Sequence, residues 1–245
     1  PREVLIRTKA AGICHSDLHF WNGSYPGVVP MVLGHESAGI VEQVGSDVHY
    51  VKPGDHVITC LSVFCGHCEK CLTGHLSLCR EPETNRGAED EPRLSQAQQP
   101  LTQFAELGSF AEMMLVHEHA LVKMREDMPM DRAALIGCGV TTGVGAVIHT
   151  AAVEPGATVA VIGCGGVGLS TINGAALAGA SRIIAVDRVA SKLELARKFG
   201  ATDVVDASDG DAVAKVIEMT SGGVHYSFEA IGLKVTAEQA FQMLR

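Results

Sequence analysis

The segment FCGHCEKCLTGHLSLC places cysteines at 65, 68, 71 and 79, a Cys-x2-Cys-x2-Cys-x7-Cys spacing. Cys65, Cys68, Cys71 and Cys79 are soft ligands from one short stretch, and such ligands can converge on a single tetrahedral zinc. Cysteines two residues apart rarely reach good disulfide geometry with each other, which disfavours a ladder of disulfides. Gly66 and Gly74 supply turns within the stretch. The spacing predicts a metal-stapled lobe, about residues 61–82, hung as a loop from a larger body.

Two kinds of sequence flank that lobe. Residues 1–150 carry short apolar runs broken by glycine and proline, such as EVLIRT, GIVEQVG and KPGDHVITC, which predict an irregular β-rich domain. Residues 81–107 are polar and proline-containing and are read as a long surface loop. From Glu154 the pattern changes to strands alternating with helices: ATVAVIG, then a small-residue helix, RIIAVD, SKLELARKFG, TDVVDA, GDAVAKVIEMTSGG, VHYSFEAI and a last helix. That alternation predicts a doubly wound parallel sheet over residues 151–245. Four strands are counted where a complete dinucleotide-binding fold has about six, so this domain is expected to be incomplete at its C-terminus.

Charge narrows the range of functions. The formal net charge is −9, from 19 basic and 28 acidic residues, with no basic run. This disfavours nucleic acid and anionic membrane surfaces as partners. No stretch approaches the run of apolar residues needed to span a bilayer, and PREVLIRTKAAG lacks the layout of a signal peptide. Eight cysteines without such a signal point to metal or catalytic chemistry in a reducing compartment, so the expected location is cytoplasmic.

Gly163, Gly165, Gly166 and Gly168 lie in GCGGVG, directly after the first strand of the second half and at the start of its first helix. In this context the first glycine allows a tight turn, the second admits a pyrophosphate, and the last packs helix against strand. The helix N-terminus offers free N–H groups to phosphates. Asp187 ends the next strand, where a carboxylate accepts the ribose hydroxyls and repels a 2′-phosphate, favouring NAD over NADP. The neighbouring Arg188 works against that preference. Cys164 is read as a small packing residue.

Cys14, His35-Glu36 and Cys138 are scattered, and by themselves are compatible with ordinary buried residues. They would also make a Cys2His catalytic zinc site with one open position. Their surroundings decide the reading. GICHSDLH (12–19), GHESAGIVEQVG (34–45), the four-cysteine lobe, IGCGVTTG (136–143) and GCGGVG (163–168) follow one another in the order found in zinc-dependent medium-chain alcohol dehydrogenases. Over essentially its whole length the chain resembles that family.

The resemblance implies a GroES-like β-domain carrying two zincs, followed by a Rossmann domain for NAD. It implies that Cys14, His35 and Cys138 hold a catalytic zinc, that Glu36 stands close to the metal, and that Asp17 orients the histidine ligand. Ser16 would take the proton of the bound alcohol and His19 would pass it outward. His15 would meet the cofactor pyrophosphate, Thr142 and Val167 the nicotinamide, and Lys192 the adenosine ribose. The implied reaction is hydride transfer between a primary or secondary alcohol and NAD. Leu61 and Tyr25 would face the substrate, and the aliphatic Leu61 favours longer or aryl alcohols over ethanol. Segments such as FGATDVV and GGVHYSFEAIG also resemble the branch that oxidises S-hydroxymethyl adducts of thiols, an alternative that His19 disfavours. A non-catalytic zinc- and nucleotide-binding protein is a further alternative. Against the family the chain is expected to lack both ends, with a full-length parent that is a homodimer or homotetramer.

Overall fold

The computed structural model describes residues 1–81, 84, 86 and 89–245. The chain divides into two compact units, Pro1–Cys138 and Gly139–Arg245.

The first unit is built on a five-stranded antiparallel sheet. In chain order its elements are β1 (Glu3–Gly12), α1 (His15–Trp21), β2 (Met31–Val32), β3 (Glu36–Val44), β4 (His56–Thr59), α2 (Glu69–Leu72), β5 (Ser95–Gln96), β6 (Gln99–Pro100), β7 (Thr102–Gln103), β8 (Met113–His117), β9 (Leu121–Lys123) and α3 (Met130–Ala133). The sheet order is β8-β1-β3-β4-β9. Strand alternation explains how β1, an interior strand, is buried. Val4 and Ile6 point to one face, are fully buried, and pack with Val41, Val57, Met114 and Val116. Val4 lies opposite Val44 on one side and Val116 on the other.

The stretch expected to be a plain surface loop is more engaged than that. Its residues 82, 83, 85, 87 and 88 lie outside the described residues. Elsewhere, β5 and β6 form an exposed hairpin whose two turn residues, Ala97 and Gln98, both have positive φ. β7 pairs in parallel with β2, and Leu107 is fully buried. Arg86 and Arg93 reach back to the Glu3 carboxylate at the start of β1. Charged side chains of this loop thus find partners on the sheet, a pairing that local polarity conceals.

The second unit contains α4 (Thr141–Gly145), β10 (Thr158–Ile162), α5 (Gly166–Leu177), β11 (Arg182–Asp187), α6 (Ala190–Lys198), β12 (Asp203–Asp206), α7 (Ala212–Thr220), β13 (Tyr226–Glu229) and α8 (Lys234–Gln242). Its strands are parallel in the order β12-β11-β10-β13. β10 is nearly all apolar because both faces are covered. Val159 and Val161 pack with Leu169 and Ile172 of α5 and Leu193 of α6. Ala160 and Ile162 face the other way, onto Val216 of α7 and Ala240 of α8. This is the doubly wound arrangement expected from the sequence.

By compactness the chain divides after Cys138, ahead of the functional boundary expected near residue 150. The reason is a continuous helical run, Met130–Thr150, whose later part packs on α5: Val147 is buried with Ile172. That same run, 21 residues with mean hydropathy 1.5, is long and apolar enough to cross a membrane by length and composition, contrary to the expectation that no stretch was. Its small apolar residues serve close packing within the second unit, where Gly143 lies against Val167 and Ser170.

Two tests of this architecture follow from its closest contacts. Burial works to raise the Glu3 carboxyl, but hydrogen bonds from Arg86 and Arg93 outweigh it and hold it at about 2, against an ordinary 4.5. A depressed folded value gives stability that is complete above about pH 4.5 and fades as pH falls toward 2. Glu3→Gln should lower the neutral-pH melting midpoint by a few degrees, about 1 kcal/mol after allowance for solvent screening. It should also flatten the acid-side loss of stability, which circular-dichroism melts across that range would register. In the second unit, a Cβ on Gly168 would lie 1.7 Å from the Gly163 carbonyl oxygen. Gly168→Ala should therefore cost about 2–3 kcal/mol by overpacking, seen in calorimetry as earlier unfolding of that unit.

Candidate functional site

Cys14, the residue before α1, is in extended conformation and caps that helix. Asp17, in the first turn, accepts the Cys14 N–H through Oδ2 at 2.9 Å. Its other oxygen accepts the Gly34 N–H at 2.9 Å and faces Nδ1 of His35 at 3.4 Å. One buried carboxylate thus fixes both the cysteine segment and the histidine segment. Glu36 opens β3, directly opposite Gly12 at the end of β1. Cys138 lies in a wide, π-type turn, Ile136–Val140, of the kind that often accompanies functional positions. The turn reaches this place because Gly137 has no side chain: a Cβ there would lie 2.1 Å from the Thr59 carbonyl oxygen of β4.

These elements gather Cys14, His35, Glu36 and Cys138 so that their ligand atoms all lie within 4.8 Å of one another. The two sulfurs are 3.9 Å apart, and Nε2 of His35 is 3.3 Å from the Cys138 sulfur. Zinc bonds of about 2.3 Å to sulfur and 2.0–2.1 Å to nitrogen give tetrahedral edges of roughly 3.8 Å between sulfurs and 3.5 Å between sulfur and nitrogen, within a few tenths of an ångström of these separations. Burial pushes the Cys138 thiol up, and the Cys14 and Glu36 charges push it further. A dication is the partner that lets such a group ionise.

In the lobe, Cys65, Cys68, Cys71 and Cys79 also lie within 4.8 Å of one another. Sulfur separations of 3.8, 3.5 and 4.0 Å across Cys65–Cys71, Cys68–Cys71 and Cys68–Cys79 again match tetrahedral edges. Burial pushes Cys65 up, but N–H groups of His67 and Cys68 and neighbouring thiols outweigh it and bring it to about 6. Burial pushes Cys71 up to about 12. The Cys65 thiolate forms readily, whereas Cys71 needs a cation to ionise. Both donor sets fit zinc, two ions per chain, and all eight cysteines are free of disulfides.

The glycine loop sits between β10 and α5, with Gly165 capping the helix. Its chain turns back tightly enough that Gly168 touches Gly163. Asp187, at the end of β11, accepts the Cys164 N–H at 2.8 Å through one oxygen. The other oxygen accepts the N–H groups of Arg188 and Val189 at 2.7 and 3.0 Å. Its carboxylate is thereby held in one orientation beside the loop, as a dinucleotide site requires. Burial pushes the Cys164 thiol up to about 12, which fits a packing role. Arg188 and Lys192 are exposed beside Asp187 and in the first turn of α6, Thr142 is exposed on α4, and Val167 is half-buried at the start of α5.

Of the other expected residues, Ser16 places its hydroxyl 3.7 Å from the Cys14 sulfur. The His15, His19 and Tyr25 rings follow one another at 4.7 Å centroid intervals, tilted by 43° and 39°. Tyr25 lines a cavity of about 400 Å³ with Phe20, Trp21, Pro26, Val29, Met31 and Leu33; Leu61 is not among its walls. A larger cavity, about 570 Å³, contains no residue of either cluster and is lined by Arg2, Glu3, Arg86, Arg93 and His117. The sequence reading missed Phe104, which stands edge-to-face with His35 at 5.1 Å. Nothing in its polar loop marked it.

Residues 1–126 match the alcohol dehydrogenase GroES-like domain, and residues 166–245 match the zinc-binding dehydrogenase family. A probable S-(hydroxymethyl)glutathione dehydrogenase 1 of Schizosaccharomyces pombe is 43% identical over 98% of this chain and 65% of its own length. A zinc-binding-domain alcohol dehydrogenase protein of Burkholderia ambifaria superposes with a TM-score of 0.90 at 40% identity, covering 99% of this chain and 67% of that one. Benzyl alcohol dehydrogenase of Acinetobacter calcoaceticus gives 0.87 at 38% identity, covering 100% and 67%. The chain spans 65% of the length of the curated relative from S. pombe. With both donor clusters and the glycine loop in place, the chain belongs to the zinc-dependent medium-chain alcohol dehydrogenase family.

Proposed function

We propose that this protein transfers a hydride between a primary or secondary alcohol and NAD, with the aldehyde or ketone as the reverse substrate. The observation that carries this reading is the cluster of Cys14, His35 and Cys138, three strong zinc ligands with Glu36 alongside, since three protein ligands leave a position for substrate. When bound, zinc there supplies Lewis acidity to the substrate oxygen, and NAD accepts the hydride.

The chain's own residues divide the remaining work. Asp17 holds the Nδ1 side of His35, so that Nε2 faces the cluster. The Ser16 hydroxyl, beside Cys14, takes the proton of the substrate hydroxyl, and His19 carries it outward. His15 binds the pyrophosphate. Gly163, Gly165, Gly166 and Gly168 admit it close to the backbone at the α5 N-terminus. Thr142 and Val167 orient the nicotinamide. Asp187 accepts the ribose hydroxyls, which favours NAD over NADP, while the adjacent Arg188 works against that preference and Lys192 helps hold the ribose. In functional terms residues 1–150 form the catalytic domain and residues 151–245 the dinucleotide domain. A homo-oligomeric parent in a reducing, cytoplasmic setting belongs to the same reading.

The cavity beside Tyr25 supports an apolar substrate: its lining of Phe20, Trp21, Val29, Met31 and Leu33 carries no cation. A second reading, oxidation of an S-hydroxymethyl adduct of glutathione, is favoured by the name of the S. pombe relative. Such an adduct brings carboxylates, and the Tyr25 cavity offers them no cation.

The deciding experiment is zinc content plus NADH formation across an alcohol series, with and without glutathione. We expect two zincs, with lower KM for benzyl and hexyl alcohol than for ethanol. Formaldehyde oxidation that requires the thiol would transfer the assignment to the second reading. Zinc binding without turnover would leave a binding protein. For the relay, Ser16→Ala should lower kcat about 10²–10⁴-fold with little change in KM. His19→Gln should shift the pH–kcat profile while leaving turnover at high pH nearly intact.

A further inference from the structure

Two consecutive residues after Phe104 are held in the left-handed region without being glycine: Ala105 at φ 52° and Glu106 at φ 60°. Such conformations cost energy and persist where surrounding contacts enforce them. Here the enforcing contacts are visible. Before the turn, β7 pairs with β2. After it, Ser109 and Phe110 donate their N–H groups to the carbonyls of Gly34 and Leu33 at 2.9 Å each. Within it, Leu107 is fully buried, and Gln103 donates through Nε2 to the Leu107 and Leu115 carbonyls at 3.0 and 3.1 Å. The segment is stitched along Met31–Gly34, immediately before His35, on both sides of a strained turn.

What the turn presents is the Phe104 ring. It meets the His35 imidazole edge-to-face, with centroids 5.1 Å apart and planes at 88°. It also meets Phe20 of α1 at 4.6 Å. Hydrogen bonding to Asp17 restrains one edge of the imidazole and leaves rotation about that contact free. A ring set perpendicular to the imidazole plane removes that freedom. We infer that Phe104 is a positioning residue for the metal centre, holding the His35 ring in the plane that aims Nε2 at the Cys14 and Cys138 sulfurs. Phe20 braces Phe104 from α1, the helix that Cys14 caps, so the two ligand segments share an aromatic brace as well as the Asp17 carboxylate.

This rests on zinc being held at the Cys14–His35–Cys138 cluster and needs no turnover, so failure of alcohol oxidation would leave it standing. The test follows zinc transfer from the purified protein to a colorimetric chelator, with a parallel set in which cobalt(II) replaces zinc. The four-cysteine lobe is the internal control for folding. Phe104→Leu, which keeps bulk and removes the ring, should release the cluster's metal roughly three- to tenfold faster, the range expected for one aromatic pair. It should also change the cobalt absorption bands of that site, while the lobe releases metal at the wild-type rate. Phe104→Tyr, which keeps the ring, should restore both readouts. Phe104→Met replaces the leucine variant if the latter also loses the lobe's metal. Unchanged release and spectrum without the ring, equal acceleration at both sites in the leucine and methionine variants, or failure of tyrosine to restore them would each overturn the inference.

Discussion

The Asp17 carboxylate is the interaction on which the first unit's chemistry depends. Its two oxygens hold a helix start, a strand-entry backbone N–H and an imidazole edge. β1 and β3 bring the Cys14 and His35 segments side by side, and the carboxylate fixes the cysteine and the imidazole relative to each other. Pairing them in advance lowers the ordering cost of binding a metal, because the ligands need not be gathered at that moment. Cys138 then arrives from a different direction, on a helical run whose wide turn and missing Gly137 side chain allow the approach.

The two donor clusters apply the same coordination distances to opposite ends. In the lobe, four sulfurs fill every tetrahedral position and the segment between them is short, so the ion acts as a staple for a loop with little core of its own. In the other cluster the ligands come from β1–α1, the start of β3 and the Met130–Thr150 run, each anchored by sheet or helix packing. There the scaffold, through sheet and helix packing, positions the ligands before any ion binds.

Much of this was legible in the sequence where chemistry and local geometry coincide. The lobe was readable because the spacing of Cys65, Cys68, Cys71 and Cys79 is itself the geometry. The parallel sheet was readable because TVAVI and RIIAVD are buried on both faces and so lose all polar alternation. Cys14, His35 and Cys138 needed the family resemblance, since their convergence is made by tertiary packing alone. The compact division after Cys138 has a local cause: IGCGVTTGVGAV is rich in glycine yet helical, because small residues let it lie close to α5. Phe104 was invisible for the opposite reason. Its role comes from strand pairing and a buried leucine that no local pattern announces.

The β5–β6 hairpin stands apart from all of this. It is exposed, closes through two residues, and lies between two anchored points: Arg93, bound to Glu3, and β7, paired with β2. Length added at its tip would be absorbed before reaching either anchor. The hairpin, between the lobe and the Met130–Thr150 run that carries Cys138, is therefore a place where this scaffold can grow, by natural insertion or by grafting, while both donor sets keep their geometry.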